Sequence, residues 1–281
     1  MKLPIEWLRE FVDTLLDDDA LAAKLTMAGL EVEETTPSED GPVFHTKITP
    51  NRGDWLSVVG TAREAAAALD RPLAWQPAPL PDENADIKRW VGVRIEDPSL
   101  CPRFTGKLIR NIVFRPAPDW MRKRLEAAGM RSINIVVDIT NYVMLELGQP
   151  LHAYDYATLP EGQIVVRAAR AGETLKTLDG MERALTPDML AICDQSRPIG
   201  LAGIMGGADT EVSMTTKHIF LESAHFDPGS IRRTAKTLGF STEASYRFER
   251  FVDPELAPIA LERACDLLAE LADGEVVLGR I

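Results

Sequence analysis

Few residues in this sequence could support nucleophilic or metal-assisted catalysis. The four histidines are His45, His152, His218 and His225, and none lies at a metal-ligand spacing from another histidine or from a cysteine. No Gly-x-Ser-x-Gly elbow presents a serine nucleophile. The sequence therefore does not support zinc chemistry or a serine nucleophile, and we predict no metal site.

Other polar residues stand in places where they could line a site. His152 follows Gln149-Pro150 in a polar stretch, although a single histidine is more often structural than catalytic. Asp138, Thr140 and Asn141 interrupt an otherwise apolar run. Polar groups in a buried segment must find hydrogen-bond partners. These three residues therefore either brace the fold or line a site.

The densest glycine segment spans residues 200–207. It lacks the G-x-G-x-x-G spacing and no helical pattern follows it, which argues against a dinucleotide fingerprint. Glycines on a strand or at its exit mark a bulge or a place where a ligand approaches the backbone. The segment is thus either a bulge or the floor of a pocket.

Charge is distributed unevenly along the chain. The formal net charge is −12, which by itself argues against indiscriminate nucleic-acid binding. Residues 1–85 carry most of this acidity, with 7 Lys or Arg against 16 Asp or Glu. Two basic islands, at 102–131 and 232–250, could contact a phosphate backbone. The alternative is that they form solvated helix faces and internal ion pairs.

The 281 residues are enough for two domains, and the Pro-rich stretch at 76–86 predicts a linker between them. We place a small, mostly helical α+β domain at 1–85. Helical spacing there predicts a helix from Ile5 to Leu16, a second through Met27, and a third following Pro50. A strand is predicted over 43–48.

The second predicted domain, 86–281, mixes helices with a mainly antiparallel sheet. We therefore assign the chain to the α+β class. Strands are predicted at 90–95, 104–112, 164–168, 173–178, 190–193, 199–204 and 218–222, and helices at 119–128, 133–147, 229–238 and 256–271.

Cysteine usage and the amino terminus bear on the compartment. The three cysteines are far apart in the sequence, which argues against a disulfide framework. The first ten residues carry charges where a signal peptide needs an apolar run, and no window approaches the ~18 apolar residues of a membrane helix. We predict a cytoplasmic protein with no membrane partner.

Several strings together resemble one family, the β subunit of bacterial phenylalanyl-tRNA synthetase. In combination they are specific for it and extend over nearly the whole chain. They are Met27-Ala-Gly-Leu-Glu-Val, Thr49-Pro-Asn-Arg-Gly-Asp54, Arg131-Ser-Ile-Asn134, Val137-Asp-Ile-Thr-Asn-Tyr-Val143, Leu145-Glu-Leu-Gly-Gln-Pro-Leu-His-Ala-Tyr-Asp155, Leu178-Asp-Gly180, Gly203-Ile-Met-Gly-Gly207 and Thr242-Glu-Ala-Ser-Tyr-Arg-Phe-Glu-Arg250.

The resemblance implies a first domain followed by the B3/B4 domain, which holds the editing site of the family. Two architectural differences follow. Family members carry an OB-fold tRNA-binding domain inserted in the first domain, where this chain has only residues 39–42. The later modules of the subunit are also absent, so the resemblance implies a fragment or a short relative.

Partners and cofactors are likewise implied by the resemblance. They are the acceptor end of tRNA(Phe) and the synthetase α subunit, with which the β subunit forms a heterotetramer in the family. Aminoacylation, with its ATP and magnesium, belongs to the whole synthetase. We expect no cofactor in this chain.

Site residues follow from the resemblance position by position. Glu222 matches the residue that reads the hydroxyl of tyrosine, and its alternative interpretation is a charged strand end. His152, Asn141 and Thr140 match residues around the tyrosyl ester. Those that match the walls and floor of the pocket are Gly203, Gly206, Thr242, Ala244 and Pro150.

The resemblance thus predicts post-transfer editing, in which water hydrolyses the ester of tyrosyl-tRNA(Phe). The alternatives are a non-catalytic structural module of the synthetase and an amino-acid-binding module. Two residues depart from the family pattern. Tyr246 stands where relatives commonly have histidine, and Phe251 stands where they commonly have glycine. We expect Phe251 either to reshape a turn or to fill space near Thr242 and Ala244.

Overall fold

The fold is described by a computed structural model that covers residues 1–77, 79–80 and 86–281. Part of the predicted linker at 76–86 therefore lies outside the described residues. The chain divides into two compact units. Unit 1 comprises residues 1–77 and 116–148, and unit 2 comprises residues 78–115 and 149–281.

Unit 1 combines five helices with a small antiparallel sheet in the order β1-β3-β2. Its elements are β1 (Lys2–Pro4), α1 (Ile5–Arg9), α2 (Asp18–Met27), β2 (Glu31–Ser38), β3 (Gly41–Lys47), α3 (Val58–Leu69), α4 (Asp119–Ala127) and α5 (Ile135–Leu147), with a 3-10 turn at Gly53–Trp55.

Local sequence explains where these helices begin. The carboxylate of Asp17 accepts a hydrogen bond from the Ala20 amide at the start of α2, and the amide oxygen of Asn134 accepts from Val136 and Val137 at the start of α5. Helix α1 ends at Arg9 rather than near Leu16 as predicted. A helix through Leu16 is excluded because Leu15 has a positive φ of 48°, which no α-helix accommodates.

Strand β2 was not predicted, because most of its side chains are exposed and it has no apolar alternation. It pairs with β3 through a hairpin in which Ser38 faces Gly41. Residues 39–42, predicted to be a short join, form the turn of this hairpin and the start of β3. A polar strand at a sheet edge is recognisable only from its pairing partner.

The described residues of unit 2 form two larger sheets, a hairpin and three α-helices. The sheets have the strand orders β12-β11-β10-β7-β4 and β14-β5-β13-β6. The elements are β4 (Gly92–Ile95), β5 (Arg103–Arg110), β6 (Leu151–Asp155), β7 (Gln163–Ala168), β8 (Thr174–Lys176), β9 (Glu182–Ala184), β10 (Leu190–Cys193), β11 (Pro198–Leu201), β12 (Met205–Gly206), β13 (Ile219–His225), α6 (Pro228–Leu238), α7 (Glu243–Phe248), α8 (Leu256–Ala272) and β14 (Glu275–Val276).

The core of unit 2 lies between its two large sheets. Buried residues of one cluster come from both, for example Phe220 of β13 and Ile192 of β10. Helix α8 packs on the other face of the four-stranded sheet, against β5 and β13. Among the strands described in unit 2, every pair is antiparallel except β4 with β7. Together with the helices, this pairing confirms the predicted α+β class.

The units differ in extent from the predicted domains. Residues 116–148, which the prediction placed in the second domain, cluster with the amino-terminal unit. One physical reason is that Tyr142 of α5 stacks on Trp7 of α1, with 4.6 Å between the ring centroids. The division at residue 85 stays a prediction about sequence modules.

Candidate functional site

Glu222 lies on the core-facing side of the four-stranded sheet in unit 2. Phe220 and Ala224, which lie two positions before and two positions after Glu222 in β13, belong to the buried cluster between the sheets. The intervening Ser223 donates a hydrogen bond to the carbonyl oxygen of Ala257 in α8. Because alternate residues of a strand point to opposite faces, Glu222 shares the side of Phe220. Its side chain is buried at 7% exposure.

Tyr154, on the neighbouring strand β6, is the hydrogen-bond partner of Glu222. Its hydroxyl donates to Oε2 of the carboxyl group over 2.6 Å. Burial raises the pKa of Glu222 to about 7, while the hydrogen bond from Tyr154 opposes that rise. Burial also raises the pKa of Tyr154 well above its usual value. The phenol therefore stays protonated and remains the donor.

His152 lies opposite Glu222 in the register of β6 and β13. Its ring contacts that of Tyr154 edge to face, with 4.4 Å between centroids. Within the described part of the chain, its buried Nε2 atom has no hydrogen-bond partner. Burial lowers the pKa of His152 to about 4, so the imidazole is neutral at pH 7. A neutral imidazole with a vacant nitrogen can hydrogen-bond to a water molecule.

Gly206 provides the space that the imidazole occupies. A Cβ atom at this position would lie 2.4 Å from Cε1 and 2.5 Å from Nε2 of His152. Gly206 pairs with Gly200 across β12 and β11. Gly203 has another environment, since a Cβ there would lie 2.8 Å from Ile231 and 2.9 Å from Phe248. Of the two glycines predicted as a floor, Gly206 is the one in contact with His152.

Thr242 and Ala244 lie at the start of α7. The Thr242 hydroxyl accepts from the Ser245 amide as part of a capping box and donates to the carbonyl of Ile204 over 2.9 Å. This bond ties α7 to the glycine segment. Ala244 is partly buried against the core cluster. Thr242 thus lies beside the glycine segment, and the predicted role of both residues as a wall stays a prediction.

Gln149 holds the chain that enters β6. It is fully buried at 0% exposure, and its Nε2 donates to the carbonyl oxygens of Pro150 and Ala224 over 2.9 and 2.8 Å. Pro150 is itself buried. Sequence reasoning assigned no role to Gln149 or Tyr154. For Tyr154 a signal existed, because strand alternation places it on the same face as His152.

Thr140 and Asn141 belong to helix α5 of unit 1, whereas the other predicted site residues belong to unit 2. The Thr140 hydroxyl donates to the carbonyl of Val137 within the helix over 2.8 Å. Asp138 accepts from the Ser132 hydroxyl and the Ile133 amide over 2.6 and 2.8 Å. Bracing of the fold thus accounts for Asp138 and for the hydroxyl of Thr140. The predicted roles of Thr140 and Asn141 at an ester stay predictions.

Tyr246 lies within α7, and Phe251 lies three residues beyond its end. The Arg250 guanidinium lies over the Tyr246 ring, 3.5 Å from its centroid. Phe251 has a positive φ of 67°, a conformation that glycine adopts more readily. Its side chain is 72% exposed. Phe251 therefore occupies a turn and does not fill interior space, which settles the two alternatives for this residue.

Most basic residues of the first island have acidic partners. Lys107 is buried against Glu262 of α8, with 2.6 Å between Nζ and Oε2. The other pairs are Arg103–Glu255, Arg115–Asp273, Arg122–Asp119, Lys123–Glu39 and Arg124–Glu10. In the second island Arg247 is buried and bonded to Glu243. Ion pairing thus accounts for much of both islands.

Helix α6 is different, because its basic residues face solvent. Arg232, Arg233 and Lys236 are exposed, and no acidic residue within the described ranges forms an ion pair with them. The opposite side of the helix, including Ile231 and Ala235, is buried. This face is the part of the second island that is available to a phosphate backbone.

Two cavities of unit 2 are lined by neither Glu222 nor His152. One, of about 450 Å³, is lined by residues that include Trp90 and Arg110. The other, of about 290 Å³, includes Gly207 and Arg197. In the described ranges, no group of three or more His, Cys, Asp or Glu side chains could hold a metal ion. None of the described helices is long and apolar enough to cross a membrane.

Comparison with known proteins identifies the family of this chain. The B3/4 domain family model matches residues 100–273. The chain therefore belongs to the B3/4 domain family.

Its relatives include the "Phenylalanine--tRNA ligase beta subunit" of Syntrophus aciditrophicus, which is 52% identical over 239 residues, or 85% of this chain and 30% of the relative. The protein of the same name from Moorella thermoacetica is 52% identical over 240 residues, with the same coverage of 85% and 30%. These similarities confirm the predicted resemblance. The chain spans about 30% of the length of the curated relatives it matches.

One solved structure aligns with 98% of this chain and 74% of its own chain, at a TM-score of 0.45 and 14% sequence identity. It is an N-terminal fragment of the phenylalanyl-tRNA synthetase β subunit from Pyrococcus horikoshii.

Proposed function

We propose that this chain is part of a phenylalanine–tRNA ligase β subunit and hydrolyses the ester of tyrosyl-tRNA(Phe). The observation that carries the proposal is the 2.6 Å hydrogen bond from the Tyr154 phenol to the buried carboxyl group of Glu222. This buried carboxyl group already accepts a phenol hydroxyl. A tyrosine attached to tRNA would present the same donor.

The need for such a site follows from the limits of binding selectivity. A pocket built for phenylalanine rejects an added hydroxyl only by about 10²-fold, so some tyrosine would be attached to the tRNA. A second site that hydrogen-bonds the hydroxyl discriminates by as much as ~10⁴- to 10⁵-fold, because phenylalanine would leave a buried polar group unpaired. Glu222 suits this role, since a buried carboxylate is costly without a donor.

The proposed reaction is direct hydrolysis. A water oxygen bonds to the ester carbonyl carbon, the bond to the tRNA ribose oxygen breaks, and tyrosine and free tRNA leave. His152 would orient the water through its vacant Nε2 atom. Oriented donors would stabilise the oxyanion.

The remaining predicted residues would surround the substrate. Gly206 would leave room for the imidazole of His152 beside the ester, and Gly203 would complete the floor. Pro150 would border the ester, while Thr242 and Ala244 would form the wall beside the aromatic ring. The bond between Thr242 and the Ile204 carbonyl supports this arrangement, because it joins wall and floor.

The wider assembly is proposed from the names of the relatives. A phenylalanine–tRNA ligase joins phenylalanine to tRNA at the expense of ATP with magnesium, and we place that chemistry on the whole synthetase with its α subunit, in the cytoplasm. The acceptor end of tRNA(Phe) would contact this chain. The exposed Arg232, Arg233 and Lys236 of α6 support such a contact.

The experiment that tests this function incubates the chain with tyrosyl-tRNA(Phe) and phenylalanyl-tRNA(Phe), each labelled on the amino acid. We expect faster release of tyrosine than of phenylalanine, and faster release than in buffer. Cleavage of neither ester above the buffer rate, at high protein concentration and low salt, would contradict the proposal. Free-tyrosine binding without cleavage would favour an amino-acid-binding module, and neither binding nor cleavage would favour a structural module.

A further inference from the structure

Tyr154 connects the two groups to which the proposed reaction assigns separate tasks. Its hydroxyl donates to Oε2 of Glu222, and its ring edge packs against the imidazole of His152. The ring also stacks against Phe220 at 6.3 Å between centroids. One side chain therefore contacts both the residue that would read the substrate hydroxyl and the residue that would orient water.

The Tyr154 hydroxyl lies between Glu222 and Gly200. On one side it meets Glu222, and on the other it lies near Gly200, where a Cβ atom would be 3.6 Å from the phenol oxygen. Tyr154 is 1% exposed, so its hydroxyl cannot exchange this bond for one with bulk water.

The hydrogen bond occupies only one oxygen of the carboxyl group. Among the described residues, no donor bonds to Oε1 of Glu222. We propose that the Tyr154 hydroxyl fixes Oε2 of Glu222 so that Oε1 accepts the substrate phenol, which makes Tyr154 a positioning residue that determines specificity for tyrosine. This inference rests on the proposed function and assigns it a residue beyond those matched to the family site.

The environment of Glu222 explains why its carboxylate form needs the hydrogen bond from Tyr154. The titratable groups that face the pair are His152 and Tyr154 from β6, the thiol of Cys101 and the thiol of Cys193, and none of them is a cation at pH 7. Burial favours the protonated carboxyl group, and the Tyr154 bond opposes this effect. A protonated Glu222 would offer a weaker acceptor to the substrate phenol.

The test compares Tyr154→Phe with Tyr156→Phe. Phenylalanine at 154 keeps the ring that packs on His152 and removes only the hydroxyl. Tyr156 is the matched control, since its hydroxyl donates to the Trp90 carbonyl and not to Glu222. The readout is kcat/KM for the tyrosyl and phenylalanyl esters of one tRNA between pH 6 and pH 9, expressed as a ratio so that general effects on hydrolysis cancel.

For Tyr154→Phe we expect the ratio of tyrosyl to phenylalanyl cleavage to fall about tenfold at pH 7, the typical loss for a hydrogen bond to a charged group. The ratio should recover towards pH 9, where Glu222 ionises without help. Tyr156→Phe should leave it within about twofold. In a Glu222→Gln background, Tyr154→Phe should have no further effect on the ratio.

A second measurement separates this inference from the proposed function. The carbon-13 shift of the Glu222 carboxyl group, followed by NMR against pH, should show a higher midpoint in Tyr154→Phe than in the parent. If the parent cleaves the tyrosyl ester selectively but Tyr154→Phe has an unchanged ratio at every pH and an unchanged midpoint, the role of Tyr154 is wrong and the proposed function stands. If the parent cleaves neither ester, the proposed function fails, and an unchanged midpoint would show that Tyr154 does not act on Glu222 either.

Discussion

The two faces of the four-stranded sheet in unit 2 each bury a glutamate, in opposite ways. On the face towards α8, Glu262 is paired with Lys107 at 2.6 Å, and both residues are buried. On the face towards the other sheet, Glu222 is equally buried, but its partner is the neutral phenol of Tyr154. The first carboxylate has a counter-charge, and the second has none among the residues described.

This difference distinguishes a structural carboxylate from one that suits binding. A paired charge lowers the cost of burial, and removing either partner leaves the other uncompensated. A carboxylate buried against a neutral donor keeps much of its desolvation cost, which is the cause of the raised pKa of Glu222, about 7. Such a group gains most when a further donor arrives, and this is the property that a hydroxyl-reading site requires.

The largest expected effect is on the α8 face. Lys107→Met should lower the free energy of unfolding by about 3–5 kcal/mol, because Glu262 is left buried without its cation. Lys107→Met combined with Glu262→Met should recover most of that loss. Urea denaturation measures both variants. A loss below about 1 kcal/mol for the single variant would show that the two faces do not differ as described.

On the opposite face, His152→Ala should affect the reaction more than the fold. We expect hydrolysis of tyrosyl-tRNA to slow by about 100-fold, because the attacking water loses the group that orients it. The free energy of unfolding should change by less than about 1.5 kcal/mol, since Nε2 of His152 has no hydrogen-bond partner in the described protein to lose. Single-turnover hydrolysis and a urea titration provide the two values. A collapsed transition would assign His152 a structural role.

Glu222→Gln should change how stability depends on pH. The pKa of Glu222 is raised in the folded state to about 7 from 4.5, so its favourable contribution is complete below pH 4.5 and is lost as the pH rises through about 7. Removing the ionisable group should therefore stabilise the protein at pH 8 relative to pH 5 by on the order of 3 kcal/mol.

The measurement is the difference in unfolding free energy between parent and Glu222→Gln at pH 5 and at pH 8. Taking a difference cancels the contributions of other titrating groups. An identical difference at both pH values would mean that Glu222 is not held in a desolvated environment, and the contrast with Glu262 would disappear.

The smallest expected effect is the difference between alanine substitutions at Gly206 and Gly200, which pair across β12 and β11. Gly206→Ala would place a Cβ about 2.5 Å from Nε2 of His152, and we expect a loss of about 1–3 kcal/mol in stability together with lower activity. Gly200→Ala is the control, because its Cβ would meet nothing nearer than the Tyr154 phenol oxygen at 3.6 Å. Thermal unfolding and ester hydrolysis should rank the two variants. Equal stability and activity of the two variants would show that the His152 imidazole does not pack against Gly206.

Sequence patterns predicted the regular elements where one face is buried. Strand β10 has the predicted bounds Leu190–Cys193, and α8 ends within one residue of its prediction. The sequence patterns failed where long-range packing or an unusual backbone conformation determines the extent of an element. The exposed strand β2 has no apolar signal, α1 ends early ahead of the left-handed Leu15, and α4 and α5 join unit 1 through long-range contacts such as Trp7 with Tyr142.

The candidate site was predictable only in part. Resemblance to the family identified Glu222 and His152, whose neighbouring positions on paired strands depend on a register that a single sequence does not specify. The bond between Tyr154 and Glu222 joins residues 68 positions apart in the chain. Periodicity gives the face of each strand, and it gives no information on which strands are neighbours.

The most direct test of the central claim is the ratio of tyrosyl to phenylalanyl ester hydrolysis in the parent and in Glu222→Ala. Because only the tyrosyl substrate carries a hydroxyl for Glu222 to accept, we predict that the variant loses cleavage of the tyrosyl ester by at least about tenfold. Cleavage of the phenylalanyl ester should stay within about twofold of the parent. Equal loss for both esters would contradict the claim that Glu222 reads the tyrosine hydroxyl.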